Sequence, residues 1–334
     1  MTVRLAINGF GRIGRNVLRA LMERPGSDLE IVAINDLAPL GTLAHLFAFD
    51  SVHGRYGGTV TTGTDSLDLG RGPIRVTAEP DPARLPWADV DIVLECTGHF
   101  RSADDAARHL ETGARRVLIS APASGPVRTV VYGVNHDSVT PDDRIVSNAS
   151  CTTNCLVPVV HVLHEAFGIR RGQMTTVHSY TGTQPVHDRA QDDLYRARAA
   201  GLSMIPTTTG AARTLGLVLP HLDGRITGTA IRVPTPNVSC CDLVVETDRA
   251  VTPQAVTEAM QAAADGPLKG ILGVETRPLV SLDYNHDARS AIYAADQTDV
   301  QQDTLLRVLA WYDNEWAFSN RMLDMADLMG RQLG

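Results

Sequence analysis

A doubly wound parallel α/β sheet joined to a second, α+β domain is the fold this sequence predicts. Two observations carry that expectation. Up to Asp36 the chain alternates an apolar run, a glycine-rich turn, a helical stretch and a second apolar run ending in an acid. Beyond residue 150, after one long helical stretch, strand-like segments dominate, as in a mainly antiparallel sheet. The length of 334 residues suits two domains of about 100–200 residues each. The first is placed at 1–150 and the second at 151–315, with a further helical stretch at 316–334.

Composition removes several classes of function. No stretch reaches the roughly 18 consecutive apolar residues of a membrane span, and the opening MTVRLAINGF reads as a strand rather than a cleavable signal. A net charge of −8 argues against nucleic acid as the main partner. Five cysteines in a chain this long do not make a disulfide framework, so a cytoplasmic location is expected. Lys269 is the only lysine and sits in Gly266-Pro-Leu-Lys-Gly270, which disfavours Schiff-base chemistry and a phosphate-cradling P-loop. Cys151 and Cys155 with His161 and His164 would share one helix and cannot wrap a zinc ion, so no metal site is expected.

The first element is the strand Leu5–Asn8, followed at once by Gly9-Phe10-Gly11-Arg12-Ile13-Gly14. Gly9 permits the tight turn, Gly11 lets backbone approach a pyrophosphate, and Gly14 allows close helix–strand packing. Val17, Leu18 and Leu21 continue a helix that Pro25-Gly26 ends, and the strand Leu29–Ile34 leads to Asp36. That carboxylate stands about twenty residues beyond the glycines, where it can accept from a ribose 2′-hydroxyl and repel a 2′-phosphate. NAD is therefore the expected cofactor, on a Rossmann-type domain. Further parallel strands are predicted at Val90–Glu95, Val117–Ile119, Val130–Gly133 and Ile145–Val146, with a helical stretch at Ala103–Leu110. Thr97 and Ser120 fall at strand C-termini, the ligand edge of such a sheet.

The run Ser147-Asn-Ala-Ser-Cys151-Thr-Thr-Asn-Cys155 then opens an apolar helix through Phe167. Asn148 or Ser150 can cap it, placing Cys151 in the first turn, where helix N–H groups favour a thiolate and lower the thiol pKa. Pro158 is expected to kink this helix. His178, at the end of the strand-like run Met174–Val177, is the candidate base. Cys155 reads as a packed neighbour, and Cys240 and Cys241 as opposite faces of a strand. Later strands are expected at Ile226–Val233, Asp242–Thr247, Leu279–Tyr284 and Leu305–Trp311, with helices at Ala211–Leu219, Gln254–Ala264 and Ala317–Met329.

These residues resemble phosphorylating glyceraldehyde-3-phosphate dehydrogenase along essentially the whole chain. The matching segments are AINGFGRIGR (6–15), IND (34–36), SNASCTTNC (147–155), HSYT (178–181), IPTTTGAA (205–212), RVPTPNVS (232–239) and WYDNEW (311–316). The resemblance implies that Cys151 attacks an aldehyde to form a hemithioacetal and that His178 is its base. NAD would lie on Gly9, Gly11, Arg12, Ile13, Gly14, Asp36, Thr97 and Ser120, with Asn314 orienting the nicotinamide. It implies that inorganic phosphate cleaves the resulting thioester. Thr181 and Arg232 would hold the substrate phosphate, and Thr152, Arg196, Thr209 and Gly210 the attacking one, with Ser150 also among the substrate- and phosphate-binding residues; the helix at 316–334 would return to complete the first domain. Charged forks and hydroxyls are the fitting residue types for both anions. The family further implies a role in glycolysis or gluconeogenesis and a homotetramer, with the Tyr180–Gly201 loop at a subunit interface.

Some positions depart from bacterial relatives. Gly182-Thr183-Gln184-Pro185 replaces an Asn-Asp-Gln-Arg type run, Arg189-Ala190 a Leu-Pro pair, Ala317-Phe318 a Gly-Tyr pair, and His99 an Arg. The Arg189-Ala190 change leaves room for some NADP tolerance, while Leu37 is the NAD-type neighbour of Asp36. VVYGVN (130–135), LVSLDYNHD (279–287) and FSNRMLD (318–324) lean toward the related erythrose-4-phosphate dehydrogenase, which lacks phosphorolysis. Thr207-Thr208-Thr209-Gly210 weighs against it. The altered loop after His178 also admits a specialised isoform that resists electrophilic inhibitors of Cys151.

Overall fold

The computed structural model describes residues 2–333, which divide into two compact units, 2–149 with 319–333 and 150–318. The first is built on a nine-stranded sheet. Its order is Arg128–Thr129, Ile145–Ser147, Arg116–Ile119, Ile92–Glu95, Val3–Asn8, Leu29–Asn35, Pro73–Thr77, Ser66–Asp68 and Thr61–Thr62. All pairings are parallel as far as Pro73–Thr77, and the last two strands pair antiparallel. Val3–Asn8 lies between Leu29–Asn35 and Ile92–Glu95, so the chain leaves it toward one side and later returns on the other. A crevice opens beyond the strand C-termini at such a switch point.

The second half of the last helix, Trp316–Arg331, belongs to this unit. Arg24 Nη1 donates to Asp324 at 2.8 Å and Arg116 Nη1 to the Met329 carbonyl at 3.0 Å. Met322, Met325, Ala326 and Met329 are fully buried, a core stripe at helical spacing.

The second unit holds a seven-stranded mixed sheet in the order Ile205–Thr208, Ile226–Val233, Ile169–Ser179, Ser239–Thr247, Leu305–Tyr312, Ala291–Gln301 and Leu272–Glu275. Four of its six pairings are antiparallel. The helix Cys151–Phe167 continues through Pro158, with Val157, Val159 and Val160 buried around it, so the expected disturbance does not end it. No described helix is long and apolar enough to cross a membrane.

Two predicted strands are absent. Val130–Gly133 is a turn, because Asn135 Oδ1 takes the Val131 N–H at 2.8 Å while the Val131 carbonyl accepts from Val134 and Asn135. Leu279–Tyr284 is no strand either, and Ser281–Tyr284 forms a 3₁₀ turn that Asp283 closes by accepting the Val280 N–H at 2.8 Å.

Candidate active site

The glycine loop of the first unit is set by crowding. A Cβ on Gly9, which has φ +92°, would stand 2.7 Å from Thr97 N, and one on Gly14 would stand 2.2 Å from the Gly9 carbonyl. Gly11 has open space around it and begins the helix Arg12–Met22 with no side-chain cap and no acid in the first turn. Uncapped helix N–H groups beside open space suit a phosphate anion. Asp36 is fixed by accepting the Phe10 N–H at 2.8 Å and the Ala38 N–H at 2.9 Å. Gly9, Gly11, Asp36, Leu37 and Thr97 line one cleft. Arg12 is anchored on Asp50 at 2.5 Å, which with two backbone N–H groups holds the Asp50 carboxyl down to about 2 against its burial.

Beneath the cleft lies a polar network that sequence reading missed. Buried Glu95 accepts from Asn8 Nδ2 at 2.6 Å, from the Thr97 N–H at 2.8 Å and from the Thr97 hydroxyl, and pairs with His109 Nε2 at 3.0 Å. Trp87 Nε1–H donates to His109 Nδ1 at 3.0 Å, so Nε2 carries the proton of a neutral imidazole. Ser120 donates its backbone N–H to the Glu95 carbonyl at 2.9 Å.

In the second unit Ser150 caps the helix that begins at Cys151, its Oγ accepting the Thr153 N–H at 3.1 Å. Cys151 Sγ lies 3.5 Å from His178 Nε2. Burial pushes the Cys151 thiol up, while the Arg232 charge and hydrogen bonds to Thr152 pull it down; the net shift is upward, opposite to the lowering expected from the helix terminus alone. Burial and the Arg232 charge push His178 down to about 3, against its hydrogen bond to the Ser179 carbonyl. The pair is therefore thiol and neutral imidazole near neutrality. Cys96 and Cys240 are pushed up to about 12, chiefly by burial, which leaves them inert.

Strand register gathers the rest. Arg232 is the direct neighbour of His178 on the parallel strand and of Ile205 on the far side. Its Nη1 lies 2.6 Å from His178 Nδ1 and 3.0 Å from the Ser179 carbonyl, and its buried Nε has no partner. Arg196 Nε donates to Thr207 Oγ1 at 2.8 Å. Tyr312, given no role from sequence, joins Thr152 Oγ1 and Thr176 Oγ1 through its hydroxyl at 2.9 Å each and meets the His178 ring edge-on. Asn314 Oδ1 accepts from Ser179 Oγ at 2.8 Å and Ser239 Oγ at 2.9 Å, which leaves its Nδ2 unengaged.

A thiol, an imidazole and a half-buried guanidinium meeting at the C-terminal ends of two paired strands can be set beside known proteins. Residues 3–103 match the family described as glyceraldehyde 3-phosphate dehydrogenase, NAD binding domain, and residues 150–314 its C-terminal domain. Proteins named glyceraldehyde-3-phosphate dehydrogenase are 62% identical over 333 residues in Cereibacter sphaeroides, covering 100% of both chains, and 60% identical in Xanthobacter flavus, covering 99% of both. Another, from Geobacillus stearothermophilus, is 53% identical over 98% of both chains.

The chain belongs to the glyceraldehyde-3-phosphate dehydrogenase family.

Residues 3–103 of the first unit are that family's NAD-binding domain. Thr209 and Gly210 start the helix Ala211–Val218, with Thr209 Oγ1 accepting the Ala211 N–H at 3.2 Å. Thr181 Oγ1 is held by Thr183 Oγ1 at 3.0 Å and Gln184 Oε1 at 3.2 Å. Thr183 thus sets a neutral hydroxyl against Thr181.

Proposed function

We propose that the chain oxidises D-glyceraldehyde 3-phosphate to 1,3-bisphosphoglycerate through a thioester on Cys151, with NAD as oxidant and inorganic phosphate as the second substrate. The 3.5 Å contact between Cys151 Sγ and His178 Nε2 carries this reading. Bound NAD supplies the hydride acceptor. Gly9, Gly11, Arg12, Ile13, Gly14, Asp36, Thr97 and Ser120 would hold it, with the unengaged Asn314 Nδ2 offered to its carboxamide.

Cys151 Sγ adds to the aldehyde carbon as its thiol proton passes through His178 to the aldehyde oxygen, and His178 Nε2 then takes the proton of the resulting hydroxyl as oxidation leaves an acyl group on sulfur. An oxygen of inorganic phosphate then adds to the acyl carbon and the C–S bond breaks, returning the Cys151 sulfur. Arg232, whose buried Nε lacks a partner, and Thr181 hold the substrate phosphate. Thr152, Arg196, Thr209 and Gly210 hold the attacking phosphate, with Ser150 beside Cys151 as its helix cap. The Arg196–Thr207 contact supports an intact phosphorolysis site. The site geometry and the named relatives add nothing in favour of the erythrose 4-phosphate alternative or an inhibitor-resistant isoform.

Assembly as a homotetramer is supported by the loop after His178, where Val186, Leu194 and Tyr195, with Leu202 and Met204 just beyond, expose large apolar side chains. Five free thiols suit the reducing cytoplasm, where the reaction serves glycolysis or gluconeogenesis.

A single-turnover experiment without phosphate tests the mechanism. Mixing enzyme, NAD and the triose phosphate should release about one NADH per chain and leave an acyl adduct on the Cys151 peptide by mass spectrometry. An NADH burst with the adduct on another residue, or none, would overturn it.

A further inference from the structure

Four neighbouring strands of the first sheet each end on a polar residue: Glu95, Asn8, Asn35 and Thr77. They are register partners, Asn8 lying between Glu95 and Asn35, and Asn35 lying beside Thr77. Their side chains join in one hydrogen-bonded row. Thr77 Oγ1 donates to Asn35 Oδ1 at 2.9 Å, Asn35 Nδ2 to Asn8 Oδ1 at 2.8 Å, and Asn8 Nδ2 to Glu95 Oε2 at 2.6 Å. Asn8, Asn35, Glu79 and Thr97 line the same cleft as Gly11 and Asp36.

Both ends of the row are fixed by donors that cannot turn. At one end the Glu79 N–H donates to Asn35 Oδ1 and the Glu79 carbonyl accepts from Asn35 Nδ2, each at 2.9 Å. The Asn35 amide therefore has one orientation, and Asn8 must offer Oδ1 to Asn35 and Nδ2 to Glu95. At the other end the Trp87 indole N–H donates to His109 Nδ1, which leaves His109 Nε2 to donate to Glu95 Oε2. The second oxygen, Oε1, accepts the Thr97 N–H and the Thr97 hydroxyl. Donors thus converge on Glu95 from three directions, and only an ionised carboxylate accepts on both oxygens. Glu95, Asn8, Asn35 and His109 are buried, so a misdirected N–H among them has no solvent to turn to.

This convergence decides what the cleft offers a ligand. The Thr97 hydroxyl gives its proton to Glu95 and accepts the His99 N–H at 3.1 Å, which leaves one lone pair free. The Thr97 N–H is already engaged. We propose that Glu95 is a positioning residue for the cofactor: its carboxylate collects the donors beneath the cleft, so that the Thr97 hydroxyl meets NAD as an acceptor and the Asn8–Asn35 floor keeps one orientation. The inference rests on the placement of NAD in this cleft.

Glu95→Gln keeps the shape and exchanges one acceptor for a donor. Turned toward Thr97, the new amide nitrogen meets a backbone N–H that cannot move aside. Turned toward Asn8, it forces that amide over and sets Asn8 Nδ2 against Asn35 Nδ2, which Glu79 holds. Calorimetry on the full-length protein should show the Kd for NAD raised about tenfold in Glu95→Gln and partly recovered in Glu95→Asp. The KM for NAD should rise with it, while kcat at saturating NAD stays near wild type. A lowered Tm or kcat with an unchanged Kd would make the row a purely structural device and overturn the proposal. Should Glu95→Gln not fold, His109→Phe removes one donor from the carboxylate without altering a residue of the cleft. It should also raise the Kd, and an unchanged Kd overturns the proposal. Failure of both variants to fold assigns the row to folding and overturns it as well. Asp36→Ala separates the two failures. If neither it nor Glu95→Gln weakens NAD, the placement of NAD in this cleft falls; if Asp36→Ala alone does, only the role of Glu95 falls.

Discussion

Cys151 Sγ and His178 Nε2 stand 3.5 Å apart although 27 residues separate them in the chain. The helix that starts at Cys151 and the strand that ends at Ser179 bring them together. If His178 is the base, His178→Asn should lower kcat by about 10²–10⁴ with little change in the KM for NAD. Cys151→Ser should abolish the NADH burst. Stopped-flow absorbance checks both, and an unaltered burst in either variant would contradict the assignment.

The buried imidazole should also mark the acid side of the stability profile. The pKa of His178 is about 3 in the folded chain and about 6.5 when unfolded. Between these values the unfolded chain binds more protons, so native stability falls as pH drops through the window, by at most about 1.4 kcal/mol per pH unit. Above about 6.5 both states are neutral and the contribution is constant. The Tm difference between His178→Gln and wild type should therefore shift in favour of the variant as pH falls from about 7 to about 4. A difference independent of pH would mean that His178 is not held neutral.

Asp36 works in two directions, fixing the glycine loop through Phe10 and presenting a carboxylate edge to the cleft. Asp36→Ala should weaken NAD binding about 10–100-fold, as expected for lost hydrogen bonds to a charged group. NADP binding should fall less, because the repulsion of a 2′-phosphate goes with the carboxylate. Calorimetric Kd values for both cofactors check this, and an equal loss for both would leave Asp36 with only a structural role.

The apolar loop predicts assembly. Leu202 is 83% exposed in the single chain and Leu194 81%, which a surface covered by other copies explains. Leu202→Glu with Leu194→Glu should reduce the mass seen by light scattering to less than four chains and lower the Tm. A tetramer of unchanged mass and Tm would remove this loop from the interface.

Much of the site was legible because its parts are local. The Gly9–Gly14 loop, its helix and Asp36 lie within one βαβ stretch, and Ser150 caps the Cys151 helix from the adjacent position. What escaped depends on pairing between distant segments. Arg232 meets His178 only through strand register, and the Glu95–His109–Trp87 network joins a strand, a helix and a loop. The direction of the Cys151 shift was misread because the helix terminus is visible in sequence and burial is not. Val130–Gly133 looked like a strand from its apolar run, but the side chain of Asn135 captures its backbone. The long strand Ala291–Gln301 went unseen because its polar second half passes through a register shift between Ala294 and Asp299, which breaks the alternation.

Phosphate, and not water, should resolve the Cys151 thioester. Steady-state NADH production from glyceraldehyde 3-phosphate and NAD, with and without inorganic phosphate, tests it most directly. Sustained turnover is expected only with phosphate, and a single burst that stalls without it. Steady turnover in the absence of phosphate would contradict it, because water would then be cleaving the acyl-enzyme and the roles given to Thr152, Arg196 and Thr209 would fall.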